Sequence, residues 1–350
     1  MSTKPGSVLV IGAAGHQGSA VLRHLGDRGL QTTVLLDGRG EGEARGLSWH
    51  RAPSASLDDA AALDDAFRGA DALFMVLDDP QSGPDDRLRH GRTIGDAAMR
   101  AGIRHIVYSA GTGPDHHRIA CDRATEIETY LRSLNAPLTV LRPTTLMEEI
   151  PWYWLSLYGS QPVLATPFEA QSRLPLIAID DVAALAATAL AAPDDFLGKT
   201  IAVAGDVSSP TAIVALLSQE LGEPVAYEQV QVEGVFIYPE ASSASDDITW
   251  LRRVHPGLHT LRSWLEDGGG LDLCRRAVAR PCRGRQSQPG QRLGRAARQR
   301  RDALEGRAVV QPAGREGTIA PIGHRLGAAR RRGLQIHGLG RQRALGLQRH

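Results

Sequence analysis

A short apolar run, Ser7 to Ile11, breaks at Gly12-Ala13-Ala14-Gly15-His16-Gln17-Gly18, and Gln17 to Leu25 then sets Ala20, Val21 and Leu25 on one helical stripe. Few local patterns restrict a fold as tightly. Glycines in a strand-to-helix turn permit backbone conformations and close approaches that a side chain would forbid. The first amides of the helix lack a carbonyl one turn earlier, and the helix dipole is positive at that end. Strand, turn and helix in this order cradle an anion and suit the pyrophosphate of a dinucleotide. The seven residues Gly12, Ala13, Ala14, Gly15, His16, Gln17 and Gly18 are assigned to that cradle, with His16 and Gln17 contributing backbone. A purely structural turn is the competing reading, and the flanking strands favour the cradle.

The next strand, Thr32 to Leu36, ends at Asp37, about twenty residues past Gly18, where an acid can accept bonds from the adenosine ribose. A carboxylate there repels a 2′-phosphate, which favours NAD. Arg39 lies two residues on and keeps NADP open, and Asp37-Gly38 is also an ordinary turn pair. Beyond this point strands and helices alternate. Helical patterns occupy Leu57–Phe67, Arg89–Ala101 and Arg123–Leu134, and strands occupy Ala72–Leu77, His105–Ser109 and Leu138–Leu141. Such alternation predicts an α/β fold with a doubly wound parallel sheet covered on both faces. After Pro143 the pattern loosens, with helices at Asp181–Ala191 and Thr211–Leu221 around a strand at Thr200–Ala204. Residues 1–150 therefore read as the dinucleotide-binding core, and 151–267 as a smaller α/β lobe interleaved with it.

The net charge of +1 hides a segregation: after Gly270 there are nineteen Arg, four acids, no Lys and no aromatic residue, leaving about −14 on the rest. A segment with so little to bury does not offset its ordering entropy, so 268–350 is given no fold and is expected to be disordered. A basic arm for nucleic acid and a translated shifted frame stay open beside that reading, with the nucleic-acid role disfavoured. No stretch reaches the roughly 18 apolar residues of a membrane span, no secretory pattern opens the chain, and the three cysteines are odd in number and far apart. A cytoplasmic protein is expected.

Five segments together resemble the NmrA-like family of atypical short-chain dehydrogenases. They are Gly12–Gly18, Gly102–Ser109, Arg142–Glu149, Ile177–Ala183 and the stretch from His255-Pro256-Gly257-Leu258 to Trp264-Leu265, in the family's order and spacing. The resemblance implies a Rossmann core with a cofactor at the C-terminal edge of its strands and a small lobe closing over the nicotinamide. It implies cofactor contacts at Leu77, Asp78, Leu146 and Met147. It also implies one of two functions: a redox-sensing regulator that binds a dinucleotide without turning it over, or an NAD(P)H-dependent reductase of a quinone or small carbonyl. Two departures stand out. Asp37 replaces the Arg that holds a 2′-phosphate in many members, and Ala124 stands where members carry a cofactor-contacting Lys ahead of Glu128.

The catalytic pair of short-chain dehydrogenases is a Tyr with a Lys four residues on, whose charge tunes the phenol as a proton donor. This chain has two lysines, Lys4 and Lys199, and neither follows a Tyr at that spacing. No catalytic residue is assigned. The reading is a dinucleotide-binding regulator with a protein partner, and the alternative is a reductase that takes its proton from water or His. Ser109 either faces the nicotinamide or caps its strand. Trp152, Tyr153, Trp154 and Tyr158 are either a wall of the substrate cleft or core. His116, His117, Cys121 and Asp122 have a loose metal-like spacing and read as polar surface. Asp180-Asp181 is expected to cap the helix that begins near Val182.

Overall fold

Strand Ala72–Val76 is buried on both faces along its whole length, as a central parallel strand must be. The computed structural model describes residues 5–36, 42–51, 56–77, 82–110, 118–231, 244–267 and 269–279. From the N-terminus the chain forms β1 (Ser7–Ile11), α1 (His16–Asp27), β2 (Gln31–Leu35), β3 (His50–Arg51), α2 (Ala60–Ala66), β4 (Ala72–Val76) and α3 (Pro84–Arg100). There follow β5 (His105–Ser109), α4 (Arg118–Ser133), β6 (Leu138–Pro143), β7 (Thr145–Leu146), a π-helical turn (Ile150–Trp154), β8 (Leu155–Tyr158), β9 (Gln161–Thr166) and β10 (Leu174–Ile177). The last elements are α5 (Ile179–Ala191), β11 (Thr200–Val203), β12 (Asp206–Ser208), α6 (Pro210–Leu221), β13 (Ala226–Gln229), α7 (Ala244–Val254), α8 (Leu261–Glu266) and α9 (Gly269–Ala279).

Seven strands form one parallel sheet in the order β11-β6-β5-β4-β1-β2-β3. The order reverses between β1 and β4, and the crevice beyond that switch point is where an open α/β sheet receives a ligand. Residue alternation sorts the core onto two faces. Val8, Val10, Phe74 and Val107 meet Val21 and Leu25 of α1 and Val182 and Leu185 of α5. Leu9, Ile11, Met75 and Ile106 meet Leu63 of α2, Ile94 of α3 and Ile127 and Leu131 of α4. Each such Leu or Ile, fully buried, contributes about 1.5–3 kcal/mol relative to exposure. The doubly wound parallel sheet read from the alternation is thus the observed fold.

The chain leaves the sheet after Pro143, returns for α5, β11 and α7, and otherwise builds the lobe. Two three-stranded sheets, β12-β10-β7 and β13-β9-β8, carry it. Its core gathers Met147, Trp154, Leu164, Leu176, Ile213, Leu261 and Trp264. Helix α9 extends this packed chain past residue 267, beyond which no fold was expected. Cys274 and Ala277 are buried in the lobe core, and a Cβ on Gly270 would collide with Trp264. Leu271, Cys274 and Val278 stand at helical spacing there, but a Gly-Gly start and the basic, aromatic-free composition around them mask the signal. Burial pushes the Cys274 thiol up to about 12, which suits an inert core cysteine.

The expected cap of α5 is not the one observed. Asp180 and Asp181 lie inside its first turn, after the N-cap Ala178. Asp180 pairs with Arg23 of α1 at 3.1 Å. The amide of Ile179 is instead bonded by Glu148, which sequence periodicity could not place there.

Candidate dinucleotide site

Gly12 adopts φ +90° directly after β1, a left-handed conformation that costs a β-carbon dearly, and a Cβ there would also strike the Val76 carbonyl of β4. A Cβ on Gly18 would collide with the carbonyl oxygen of Gly12, so α1 can begin close against the turn only with glycine at that place. Gly15 is the N-cap with extended backbone, and its amide donates to Gly12 O at 3.1 Å. Ser19 N donates to Gly15 O at 3.0 Å. The amides of His16, Gln17 and Gly18 precede the first α-helical bond and form the positive end of α1, which could receive an anion. The whole seven-residue motif therefore sits at the C-terminal edge of the sheet, beside the β1–β4 switch point. A tight turn, close backbone and helix amides fit a pyrophosphate without any side-chain charge.

The segment entering α1's far side is fastened to this turn. Glu43 N donates to Ala14 O at 3.0 Å, and Gly42 (φ +49°) packs so closely on Ala14 that a Cβ would collide with its carbonyl. His16 Nδ1 lies 3.9 Å from Glu43, and the His16 ring stacks on Trp152, with centroids 4.6 Å apart and planes tilted 31°. Neither contact is visible in the sequence, because 27 and 136 positions separate the partners. Asp37, Arg39 and Asp78 lie outside the described residues, as do His116 and His117 and the side chains of Cys121 and Asp122. Among the described residues no group of three His, Cys, Asp or Glu side chains is arranged to hold a metal ion.

The remaining candidates divide. Leu77 follows β4 at the switch point and is half-buried. Ser109 is fully buried and donates to Gln17 Oε1 at 2.9 Å, tying the ends of β5 and α1 together. Its hydroxyl is thus an internal link rather than a group presented to a ring. Leu146 is buried at 6 % exposure, and Met147 has no exposed surface and belongs to the lobe core. In this arrangement Met147 and Ser109 have no accessible surface to offer a ligand. The aromatic run also splits. Trp154 is buried against Phe168 at 5.7 Å, Tyr153 packs on the lobe core, Tyr158 is exposed, and Trp152 packs on the sheet's core cluster.

No tuned proton donor lies among the described tyrosines and lysines. Tyr108 is buried in β5, and burial drives its phenol far above the ordinary range. Tyr130 donates to Asp96 at 2.7 Å and Tyr227 to Phe168 O at 2.6 Å. Lys199 precedes β11 at the opposite edge of the sheet, 5.3 Å from the Trp250 ring. Ala124 packs its methyl on the α3–α4 core cluster. Its neighbour Glu128 accepts from Arg142 at 2.6 Å, Thr200 at 2.9 Å and Arg132 at 3.1 Å. Burial raises the Glu128 pKa, but these donors outweigh it and leave the carboxyl below its ordinary value. Arg142 of the Arg-Pro-Thr-Thr run thus clasps α4 to β6.

The profile of the NmrA-like family matches residues 4–247. A Streptomyces griseus (4-alkanoyl-5-oxo-2,5-dihydrofuran-3-yl)methyl phosphate reductase is 33 % identical over 236 residues, 65 % of this chain and 78 % of its own. The Neurospora crassa nitrogen metabolite repression protein nmr is 27 % identical over 207 residues, 51 % of this chain and 39 % of its own. Among solved structures, the negative transcriptional regulator NmrA in complex with NAD superposes with a TM-score of 0.64 at 18 % identity, over 79 % of this chain and 99 % of its own. Citrobacter triphenylmethane reductase complexed with NADP(H) gives 0.61 at 19 % identity, over 77 % and 100 %. No helix among the described residues is long and apolar enough to cross a membrane.

Proposed function

The chain belongs to the NmrA-like family, and from that premise we propose that it is a cytoplasmic binder of a nicotinamide dinucleotide whose occupancy is reported to a protein partner. One observation carries the binding: the Gly12–Gly18 turn, where Gly12 and Gly18 admit no β-carbon and the α1 amides face outward at the sheet's switch point. The NmrA structure in complex with NAD supports the cofactor class. Asp37 favours NAD over NADP, with Arg39 as the competing determinant. Leu77 would line the same crevice at the end of β4, and its chain neighbour Asp78 is retained as a candidate contact on sequence alone. When bound, the nicotinamide supplies hydride chemistry; the described part of this chain supplies no Tyr–Lys pair to move the accompanying proton, which favours the regulatory reading.

A second reading, an NAD(P)H-dependent reductase, is favoured by the Streptomyces relative. The ring in that relative's name carries a carbon–carbon double bond flanked by an alkanoyl and a lactone carbonyl. Reduction of such a bond leaves an enolate spread over both carbonyls, which water can protonate without a tuned acid. The absence of the acid–base pair is compatible with that substrate class and with quinones, and far less with plain alcohols and ketones. Calorimetry with NAD, NADH, NADP and NADPH tests the binding, beside a Gly15→Asp variant whose carboxylate opposes the pyrophosphate. Loss of all binding in that variant is expected. Turnover of NADH or NADPH with a panel of doubly activated enones and quinones, abolished in that variant, would replace the regulatory reading by the reductase one.

A further inference from the structure

Trp152 meets its neighbour Tyr153 edge-on, with ring centroids 6.3 Å apart, but differs from it in the core it joins. It belongs by sequence to the lobe, in the π-helical turn Ile150–Trp154, yet it packs on the sheet's core cluster while Tyr153 and Trp154 pack on the lobe's. Its amide donates to Glu148 O at 3.1 Å. The ring that receives it is His16, the first residue of α1, whose own amide is one of those facing the pyrophosphate position. Glu43, from the segment that follows β2 and is bonded to Ala14, lies 3.9 Å from the Nδ1 of that imidazole. The contacts Glu43–His16 and His16–Trp152 therefore join three parts of the chain: the stretch after β2, the start of α1, and the lobe. The His16 side chain is 55 % exposed, so these contacts add little to core burial.

We propose that Trp152 is a positioning residue for the dinucleotide: through its stack on His16 it fixes the first turn of α1 beneath the pyrophosphate and couples occupancy of the turn to the small lobe. The inference rests on the dinucleotide-binding reading above. An anion over the His16 amide lies next to the stacked imidazole, so a ligand there either tightens or displaces the indole. Because His16 and Trp152 act through one contact, their removal is expected to be non-additive.

The test is calorimetric affinity for NADH in the unmodified protein and in Trp152→Ala, His16→Ala, the double variant and Trp152→Phe. Each alanine variant is expected to weaken binding about 3- to 10-fold, the range of one aromatic pair. The double variant should lose no more than the worse single one, and Trp152→Phe should recover most of the loss. ADP, which has the pyrophosphate and no nicotinamide, should change the tryptophan emission of the unmodified protein but not of Trp152→Phe. Alanine variants within twofold of the unmodified protein, multiplying losses in the double variant, or an ADP signal that survives in Trp152→Phe would each overturn the proposal. If the unmodified protein binds neither NADH nor ADP, the dinucleotide reading fails and this one with it. If it binds both and Gly15→Asp binds neither, that reading stands and the cycle alone decides.

Discussion

Glu148 accepts the Ile179 amide with both carboxylate oxygens, at 3.1 and 3.2 Å, and so caps α5 from 31 residues away. Burial, with a smaller contribution from the nearby Asp181 charge, pushes its pKa up to about 7. A carboxyl with a raised folded pKa binds more protons folded than unfolded. Its contribution is complete below about 4.5 and is lost as pH rises through 7, by about 3 kcal/mol in total. Glu148→Gln keeps an acceptor for Ile179 and removes the titration. Denaturant melts at pH 5 and pH 8 should show the variant gaining on the unmodified protein at the higher pH; parallel profiles would refute the assignment.

His105 titrates with the opposite sense. Its Nε2 lies 2.8 Å from Thr139 Oγ1, whose own hydrogen goes to Phe196 O at 2.9 Å, so the imidazole donates from Nε2 and is neutral. Burial lowers its pKa to about 4. Between 4 and 6.5 the unfolded chain binds the extra proton, so stability falls as pH drops through that window, by about 3 kcal/mol. His105→Gln, which retains a donor, should flatten this acid limb. The limb overlaps the Glu148 window with opposite sign, so only the difference between variant and unmodified profiles separates them.

Asp181 is fully buried and bonds His255 Nε2 at 3.1 Å, His259 Nδ1 at 2.9 Å and the His259 amide at 2.9 Å. Its carboxylate, with Asp267, raises the His259 pKa to about 9. This cluster fastens the stretch between α7 and α8 to α5. Asp181→Asn should bring the His259 titration, followed by NMR, down toward its ordinary range. It should also destabilise the protein by about 3 kcal/mol, as removal of one member of a buried charged pair does. In the unmodified protein, the His259 contribution is present below 6.5 and lost as pH rises through 9.

The end of the packed chain is testable by truncation. A protein ending at Asp267 loses Cys274 and Ala277 from the lobe core and uncovers Trp264. It is expected to melt several degrees lower than one ending at Ala279, which keeps α9. Removing 280–350, a stretch without one Phe, Tyr or Trp, should leave the cooperative melt intact. Equal melting temperatures for the two truncations would show that α9 adds nothing to the lobe.

How far the sequence went can be judged residue by residue. Strand Ser7–Ile11, strand His105–Ser109, the turn Gly12–Gly18 and the sheet they share follow from local rules: short apolar runs, helix stripes, and glycine where a side chain cannot fit. The lobe's short strands β7, β8, β10 and β12 carry two to four residues each, too few for a period to register, and α9 lacks any strong anchor. Tertiary structure alone decided which side chains are left accessible at the C-terminal edge of the sheet and which are buried in the core. Ser109 and Met147 sit at the right places in the chain for a cofactor, yet one is tied to Gln17 and the other is buried in the lobe. Glu148 capping α5, Asp181 holding two histidines, and Trp152 lying on His16 join residues 31 to 136 positions apart. Periodicity and turn chemistry report only what neighbours along the chain require of one another; contacts across that distance exist only once the sheet and the lobe have closed.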